Sequence, residues 1–209
     1  MPKIKILQED KSYTFRSYFE LPYEADEILA ELNYSLVKSR LSLPKTRKTL
    51  KSLSEIQNKL EDILPFVNLS NETARREILV SPILLEVVHC CHCQLRIEYP
   101  LKVNDWLKGS LDYLLRSTND LLVVEAKNDD LTRGFTQLAV ELIALAEVAE
   151  NNGENNILYG AVTMGDVWRF GRLNKAKKQI TQDINLFKMP DDLTDLGEVL
   201  VGILEGVEN

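Results

Sequence analysis

The chain is poor in the residues and motifs that several enzyme classes and compartments require. It has two histidines and three cysteines, and it contains neither a Gly-x-Ser-x-Gly motif nor a Walker phosphate loop. Histidines only three positions apart leave few possible bases for a Ser-His-Asp triad. No apolar run approaches the roughly 20 residues of a membrane helix, and the first residues lack the apolar stretch of a secretory signal. We therefore expect a cytoplasmic protein without a membrane partner.

Charge is unevenly distributed along the chain. The formal net charge of -7 argues mildly against broad non-specific DNA binding, which depends on neutralising phosphates. Residues 38–51 nevertheless contain six bases and no acid, whereas residues 191–209 contain six acids and no base. If nucleic acid binds, we expect it at one of two basic trios, and the alternative is a solvated face with a connecting turn. The trios are Lys45, Arg47 and Lys48, and Lys175, Lys177 and Lys178.

Hydrophobic periodicity predicts an α/β protein, a mixed β-sheet core flanked by helices, with a helical N-terminal extension. The 209 residues suffice for one sizeable core with an appendage, and we divide them into an extension at 1–69 and a core at 70–209. The predicted strands are 3–7, 13–20, 94–103, one around Asp112, 121–127, 157–163, 167–170 and 179–187. The predicted helices are 24–41, about 50–63, 71–80 with Ser70 as its cap, a short one from Ser81-Pro82, 131–150 and 192–204.

The most informative segment is the predicted strand at residues 121–127. Its four aliphatic residues indicate burial on both faces, and strand alternation puts Glu125 and Lys127 on the same face. Charged side chains there are costly to desolvate unless they are paired or bind a ligand. The polar turn at 117–120 predicts a hairpin that brings Asp112 beside them. Two acids and a lysine suit a hard divalent metal and a phosphate.

These residues resemble the PD-(D/E)XK nuclease superfamily, which has the restriction-endonuclease-like fold. Asp112 matches the first acid of the motif, Glu125 the second acid and Lys127 the lysine. The residue before the first acid is Leu111 rather than proline. The resemblance covers about residues 70–175, and its strength lies in the order helix, strand, hairpin strand, motif strand, helix.

The resemblance implies a metal-dependent nuclease that hydrolyses phosphodiester bonds, with DNA as the expected partner and a homodimer as a possible assembly. It implies that Asp112, Glu125 and the backbone carbonyl of Ala126 bind Mg²⁺ or Mn²⁺. Oxygen ligands suit both ions. Lys127 is expected to hold the attacking water or the phosphate as a point charge.

Two further site residues follow from the resemblance. Gln137, on the helix after the motif, corresponds to a glutamine that several branches place near the scissile phosphate, and its alternative is an ordinary polar helix position. Superfamily members often add an acid from the first core helix, for which we prefer Glu72 over Glu77. Glu72 could also serve only to complement the helix dipole.

Three alternatives remain open at this point. Glu125 and Lys127 could form a surface salt bridge worth about 0–1 kcal/mol. The whole domain could be a catalytically inactive member of the fold that serves as a binding or assembly module. The contiguous His89-Cys90-Cys91-His92-Cys93 run could bind zinc, although structural zinc sites join ligand pairs well separated in sequence, which favours buried thiols.

Overall fold

A computed structural model describes residues 5–117, 121–126, 130–149 and 156–207, which form a mixed, open, eight-stranded sheet with helices on both faces. The helices are α1 (Phe15–Glu20), α2 (Ala25–Glu31), α3 (Lys51–Ile63), α4 (Glu72–Arg75), α5 (Ser81–Cys91), α6 (Leu131–Ala149) and α7 (Leu193–Leu204). A 3-10 turn (Leu64–Phe66) follows α3, and a π turn (Arg76–Val80) links α4 to α5. The strands are β1 (Ser35–Ser39), β2 (Gln94–Lys102), β3 (Lys108–Arg116), β4 (Leu121–Ala126), β5 (Ile157–Thr163), β6 (Val167–Asn174), β7 (Gln179–Asp183) and β8 (Phe187–Lys188).

The motif strand β4 lies in the interior of the sheet. β2, β3 and β4 pair antiparallel in chain order. α6 then carries the chain to β5, which is parallel to β4 and so needs a crossover connection. β5, β6 and β7 continue antiparallel, and β1 closes one edge parallel to β7. The order is β1-β7-β6-β5-β4-β3-β2, with β8 paired to β6.

Each face of the sheet has its own apolar cluster. α1, α2 and α6 cover one face, and α3, α5 and α7 cover the other. On β4, the buried Val124 belongs to the cluster under α5 and α7. Because successive side chains point to opposite faces of a strand, Glu125 is directed towards α6.

Residues before position 70 take part in the same sheet and core. β1 adds an edge strand beside β7, and Phe15, Tyr18 and Ile28 are buried in the cluster with α6. The Tyr18 hydroxyl also donates to the Trp106 carbonyl at 2.7 Å. The boundary at 69/70 therefore falls within one shared sheet, and its meaning as a domain boundary stays a prediction.

Three predictions in the N-terminal part are wrong. The strand predicted over 13–20 is instead largely the helix α1 (Phe15–Glu20), because Thr14 and Ser17 cap its first turn reciprocally and its aromatic residues are buried at helical spacing. The helix predicted over 24–41 ends at Glu31; Asn33 then adopts a left-handed φ of 63°, and the chain continues as β1. Of the strand predicted over 3–7, the described residues 5–7 form none, and residues 3 and 4 lie outside the described part of the chain.

The helical region before β2 is more continuous than predicted. Asn71, rather than Ser70, caps α4 by accepting from the Ala74 backbone N–H at 2.8 Å. The π turn then runs directly into α5, so the predicted new cap at Ser81 does not form. Pro82 lacks a backbone N–H for the regular helical hydrogen bond, and this favours a wider turn just before it.

From residue 94 onwards the predicted elements are confirmed with small shifts of their ends. β2, which contains Pro100, is an edge strand, as its proline indicates. The β3–β4 hairpin and the following helix are present, although residues 118–120 of the turn lie outside the described residues. The single strand predicted over 179–187 is divided into β7 and β8.

Candidate functional site

The two acids of the motif lie on neighbouring strands. Tyr113 pairs with Val124 across the hairpin, and Asp112 and Glu125 are the next residues beyond this pair on the two strands. Glu125 is fully buried, and the Asp112 side chain is only 13% exposed. The predicted hairpin therefore brings both carboxylates together.

Helix α6 adds two buried polar side chains to this pair. Gln137 Nε2 donates to Glu125 Oε1 at 2.7 Å and to Glu141 Oε1 at 2.9 Å. Gln137 is 4% exposed and Glu141 is fully buried, so the amide joins two carboxyl groups out of contact with water. We call Asp112, Glu125, Gln137 and Glu141 the carboxylate cluster.

A second negative charge buried in the carboxylate cluster would be unfavourable. Burial raises the pKa of Glu141 well above its usual range, and the charge of Glu125 raises that pKa further. The Gln137 hydrogen bond lowers the pKa of Glu141, whereas a hydrogen bond with Glu125 and the charge of Asp112 raise it. Glu141 therefore keeps its proton to a higher pH than an ordinary glutamate does, and its hydroxyl can donate to Glu125.

A cation reaches Asp112 from the π turn. Arg76 Nη1 lies 2.7 Å from Glu98 Oε1 and 3.7 Å from Asp112 Oδ1. Its guanidinium carbon also lies 5.0 Å from the centre of the Tyr113 ring, and its Nε donates to the Tyr113 hydroxyl at 3.3 Å. Arg76 thus offsets part of the negative charge at the edge of the cluster. No sequence pattern connected it with β3.

The structure does not connect the predicted helix acid with the cluster. Glu72 is the first residue of α4 and is half-buried, and Glu77 is exposed. Among the described residues, no hydrogen bond or ion pair links either side chain to Asp112, Glu125 or Glu141. The role of Glu72 stays a prediction.

The remaining motif residues are only partly described. Ala126 is the last residue of β4 and pairs with Thr163 of β5. Lys127 lies outside the described residues. The metal contact of the Ala126 carbonyl and the role of Lys127 therefore stay predictions.

Sequence reasoning did not select Glu141 as a site residue. The sequence nevertheless indicated Glu141, because an acid four positions after Gln137 falls on the buried stripe of an otherwise apolar helix. Buried acids are rare unless they are paired. An acid on an apolar stripe facing a predicted motif strand would have indicated the third carboxyl group.

The residues present suit a hard divalent cation. Asp112 and Glu125 offer carboxylate oxygens, the ligand type that Mg²⁺ and Mn²⁺ prefer. Buried carboxyl groups that repel one another would be stabilised by a cation. In the described ranges, no three acidic, histidine or cysteine side chains already form a metal-ligating group. Binding of a divalent cation would therefore depend on the two motif acids and on the backbone groups next to them.

The histidine and cysteine run lies at the junction of α5 and β2. Cys90 Sγ donates to Glu86 Oε1 at 3.4 Å, and the rings of His89 and His92 are 6.4 Å apart. Burial raises the pKa of Cys91 to about 12 and that of Cys90 to about 11. These contacts agree with partly buried neutral thiols, the interpretation favoured over zinc.

We expect Cys90 and Cys91 to react slowly with iodoacetamide at neutral pH. The thiolate is the nucleophile, so raised thiol pKa values should make both rates climb about tenfold per pH unit until well above pH 9. Peptide mass spectrometry would measure the rate at each cysteine, with glutathione as the reference thiol in the same solution. A plateau below about pH 9 at either residue would contradict the raised pKa values.

One of the two basic segments is used within the fold. Lys45 Nζ lies 2.6 Å from Asp195 Oδ1 of α7, and Lys48 pairs with Glu205 just after α7. The basic and acidic runs of the sequence therefore face one another. Among the described residues, the basic side chains of 175–178 form no ion pair. Nucleic-acid contact at either segment stays a prediction.

Neither the family models nor the curated proteins compared with this chain match it. No helix within the described ranges has both the length and the apolar character needed to cross a bilayer. Membership of the PD-(D/E)XK superfamily is therefore a proposal that depends on the motif and its surroundings.

Proposed function

We propose that this chain is a PD-(D/E)XK nuclease with a restriction-endonuclease-like core, and that it hydrolyses phosphodiester bonds, principally in DNA. The observation that carries the proposal is the carboxylate cluster. Like charges buried together are unfavourable to folding, and perturbed acids of this kind concentrate at functional sites. The order α5, β2, β3, β4, α6 around the cluster also agrees with the order on which the resemblance depends.

The proposal assigns a role to each side chain of the site. Asp112 and Glu125 would hold Mg²⁺ or Mn²⁺, with the Ala126 carbonyl as a further ligand. Such an ion supplies charge neutralisation at the scissile phosphate and makes a nearby water more acidic. Gln137 orients Glu125 by donating to its Oε1, so it is a positioning residue. Lys127, which follows β4 in sequence, would hold the attacking water or the phosphate.

Glu141 would supply the proton that keeps the cluster stable in the absence of a cation. Its hydroxyl shields Glu125 from a second full negative charge, and Gln137 holds the two side chains together. Because both carboxyl groups are inaccessible to water, their orientation is set by α6 rather than by solvent. This preorganisation is what a catalytic carboxylate needs.

Asp112→Asn should abolish measurable Mn²⁺ binding and nucleic-acid cleavage. The change keeps the size of the side chain but removes the charge of one proposed ligand. Isothermal titration with Mn²⁺ would measure binding, and a panel of duplex, single-stranded and branched DNA and of RNA with Mg²⁺ or Mn²⁺ would measure cleavage.

Asp105→Asn is the matched control for this experiment. Asp105 is exposed, lies in the loop before β3 and pairs with Lys108 at 2.9 Å. The same chemical change there should leave Mn²⁺ binding and cleavage at wild-type levels. Equal Mn²⁺ binding by wild type and Asp112→Asn would count against the proposed site.

A non-catalytic binding or assembly module on the same fold is the second candidate. The observation that favours this candidate is the contact of Arg76 with Asp112. It already places a positive charge beside a carboxylate that is expected to bind the metal ion. The net charge of -7 also favours a narrow set of partners. Binding of nucleic acid by the wild type without cleavage in either metal, across the whole substrate panel, would select this candidate.

A further inference from the structure

Arg169 of β6 lies on the same cross-strand line as the motif acid Glu125. Glu125 pairs with Val162 of β5, and Val162 pairs with Arg169. Neighbouring strands are about 4.8 Å apart, so the Cα atoms of Glu125 and Arg169 are separated by about 10 Å. The line Glu125, Val162, Arg169 thus runs across three adjacent strands, and Asp112 lies on the fourth, one residue beyond the pair Tyr113–Val124.

Arg169 is also on the same face of the sheet as Glu125. Its neighbours Trp168 and Phe170 are both buried in the cluster under α5 and α7, so strand alternation directs Arg169 to the α6 face. Gly171, two residues further on, confirms this direction, because a Cβ there would lie 2.8 Å from Phe135 Cε2 of α6. Arg169 therefore points to the side on which α6 presents Gln137 and Glu141.

The charge of Arg169 is incompletely satisfied within the described part of the chain. The side chain is half-buried, and its Nε is buried with no hydrogen-bond acceptor among the described residues. Burial lowers the pKa of Arg169, and the charge of Asp183 partly offsets this effect. Asp183 itself accepts from two backbone N–H groups, those of Leu41 and Asn185. A guanidinium stays charged in proteins, so an acceptor missing at this position is costly.

We propose that Arg169 binds the substrate phosphate from the β6 side of the site, while the motif acids lie on the β3–β4 side. This inference rests on the proposed nuclease function. The planar guanidinium matches two phosphate oxygens at once. The parallel strands β4 and β5 both end just beyond Glu125 and Val162, and ligands of open α/β sheets bind outside the carboxyl ends of their strands. Arg169 would therefore stabilise charge on the phosphate while the acids hold the cation.

Arg172 offers a control that is matched in type, strand and burial. It lies three positions further along β6, so alternation directs it to the opposite face. It is also half-buried, and its Nε is likewise buried without an acceptor among the described residues. It differs from Arg169 mainly in its position relative to the carboxylate cluster. Effects found for Arg169 but not for Arg172 therefore report on the site rather than on burial.

The test compares Arg169→Met, Arg169→Lys and Arg172→Met in steady-state cleavage and in DNA binding. Fluorescence anisotropy in EDTA over a range of salt concentrations would measure binding. We expect Arg169→Met to lower kcat by about 10²–10³-fold and to reduce the salt slope of binding by about one unit. Arg169→Lys should restore the slope but not kcat, because lysine lacks the bidentate fork. Arg172→Met should keep the wild-type kcat and slope.

The outcomes separate this inference from the proposed function. Wild-type kcat and salt slope in Arg169→Met, in a protein that cleaves DNA, would overturn the inference and leave the nuclease proposal intact. If the wild type does not cleave, the nuclease proposal fails and the salt slope of binding alone tests the inference. A smaller slope only in Arg169→Met would support the phosphate contact. An unchanged slope, or no binding, would overturn the phosphate contact. If melting shows that Arg169→Met does not fold, a wild-type kcat in Arg169→Lys would overturn the inference.

Discussion

Glu125→Gln should lower the rate of nucleic-acid cleavage by about 10²–10³-fold, the usual effect of losing one electrostatic contact to the transition state, while the fold stays intact. Glutamine has the shape of glutamate, and its amide oxygen can still accept from Gln137 Nε2, which lies 2.7 Å from Glu125 Oε1. What disappears is the charge that would hold a divalent cation. Single-turnover cleavage in Mg²⁺ and in Mn²⁺ would measure the change.

Thermal melting separates this loss from simple unfolding. Because the variant removes a buried charge beside Glu141, its melting temperature without metal should equal or exceed that of wild type. Glu55→Gln is the control, since Glu55 is exposed on α3 and the same change there should alter neither property. Full cleavage by Glu125→Gln would show that the reaction does not use this carboxylate, and a large fall in melting temperature would indicate a structural role.

The second large effect should be on the pH dependence of stability. The folded protein keeps the Glu141 proton because the pKa of that carboxyl is raised well above its ordinary value of 4.5, whereas the unfolded chain releases the proton near that value. Between the two pKa values the unfolded state therefore binds fewer protons, and the free energy of unfolding falls as pH rises, by about 1.4 kcal/mol per unit. Below the unfolded pKa, this destabilising contribution is absent.

Glu141→Gln should remove this contribution and leave the variant more stable than wild type at about pH 8, with little difference near pH 4. Urea unfolding of both proteins without metal at several pH values would give the two curves. Glu55→Gln should follow the wild-type curve. If the curves of Glu141→Gln and wild type run parallel across the range, Glu141 does not hold a proton in the folded state.

The parts of the site that local sequence predicted are those built by neighbours in the chain. A run of aliphatic residues predicted β4, a polar turn predicted its hairpin with β3, and together they placed Asp112 next to Glu125. Gln137 came from the resemblance, and its contact with Glu125 is consistent with a role near the motif. Hairpin register depends on a short connection, and this is why these predictions did not require knowledge of the rest of the fold.

The wrong predictions come from short segments whose apolar residues fit more than one period. Phe15 and Tyr18 satisfy a helical spacing, although the residues around them also alternate as in a strand. Leu36 and Val37 fit the helix pattern of the preceding residues, but they belong to β1, which is stable because β7 offers it a parallel partner. Propensity is a weak guide when tertiary pairing is available.

Contacts between distant parts of the chain were beyond local patterns. Lys45 pairs with Asp195, and Arg76 reaches Asp112, only because the assembled sheet carries α5 and α7 on one face. Residue spacing thus sufficed for the hairpin and the motif acids, since both depend on alternation and on a short turn. The burial of Glu141 and the alignment of Arg169 with Glu125 depend on the position of α6 and on the strand order, which result from packing of the whole chain around its two apolar clusters.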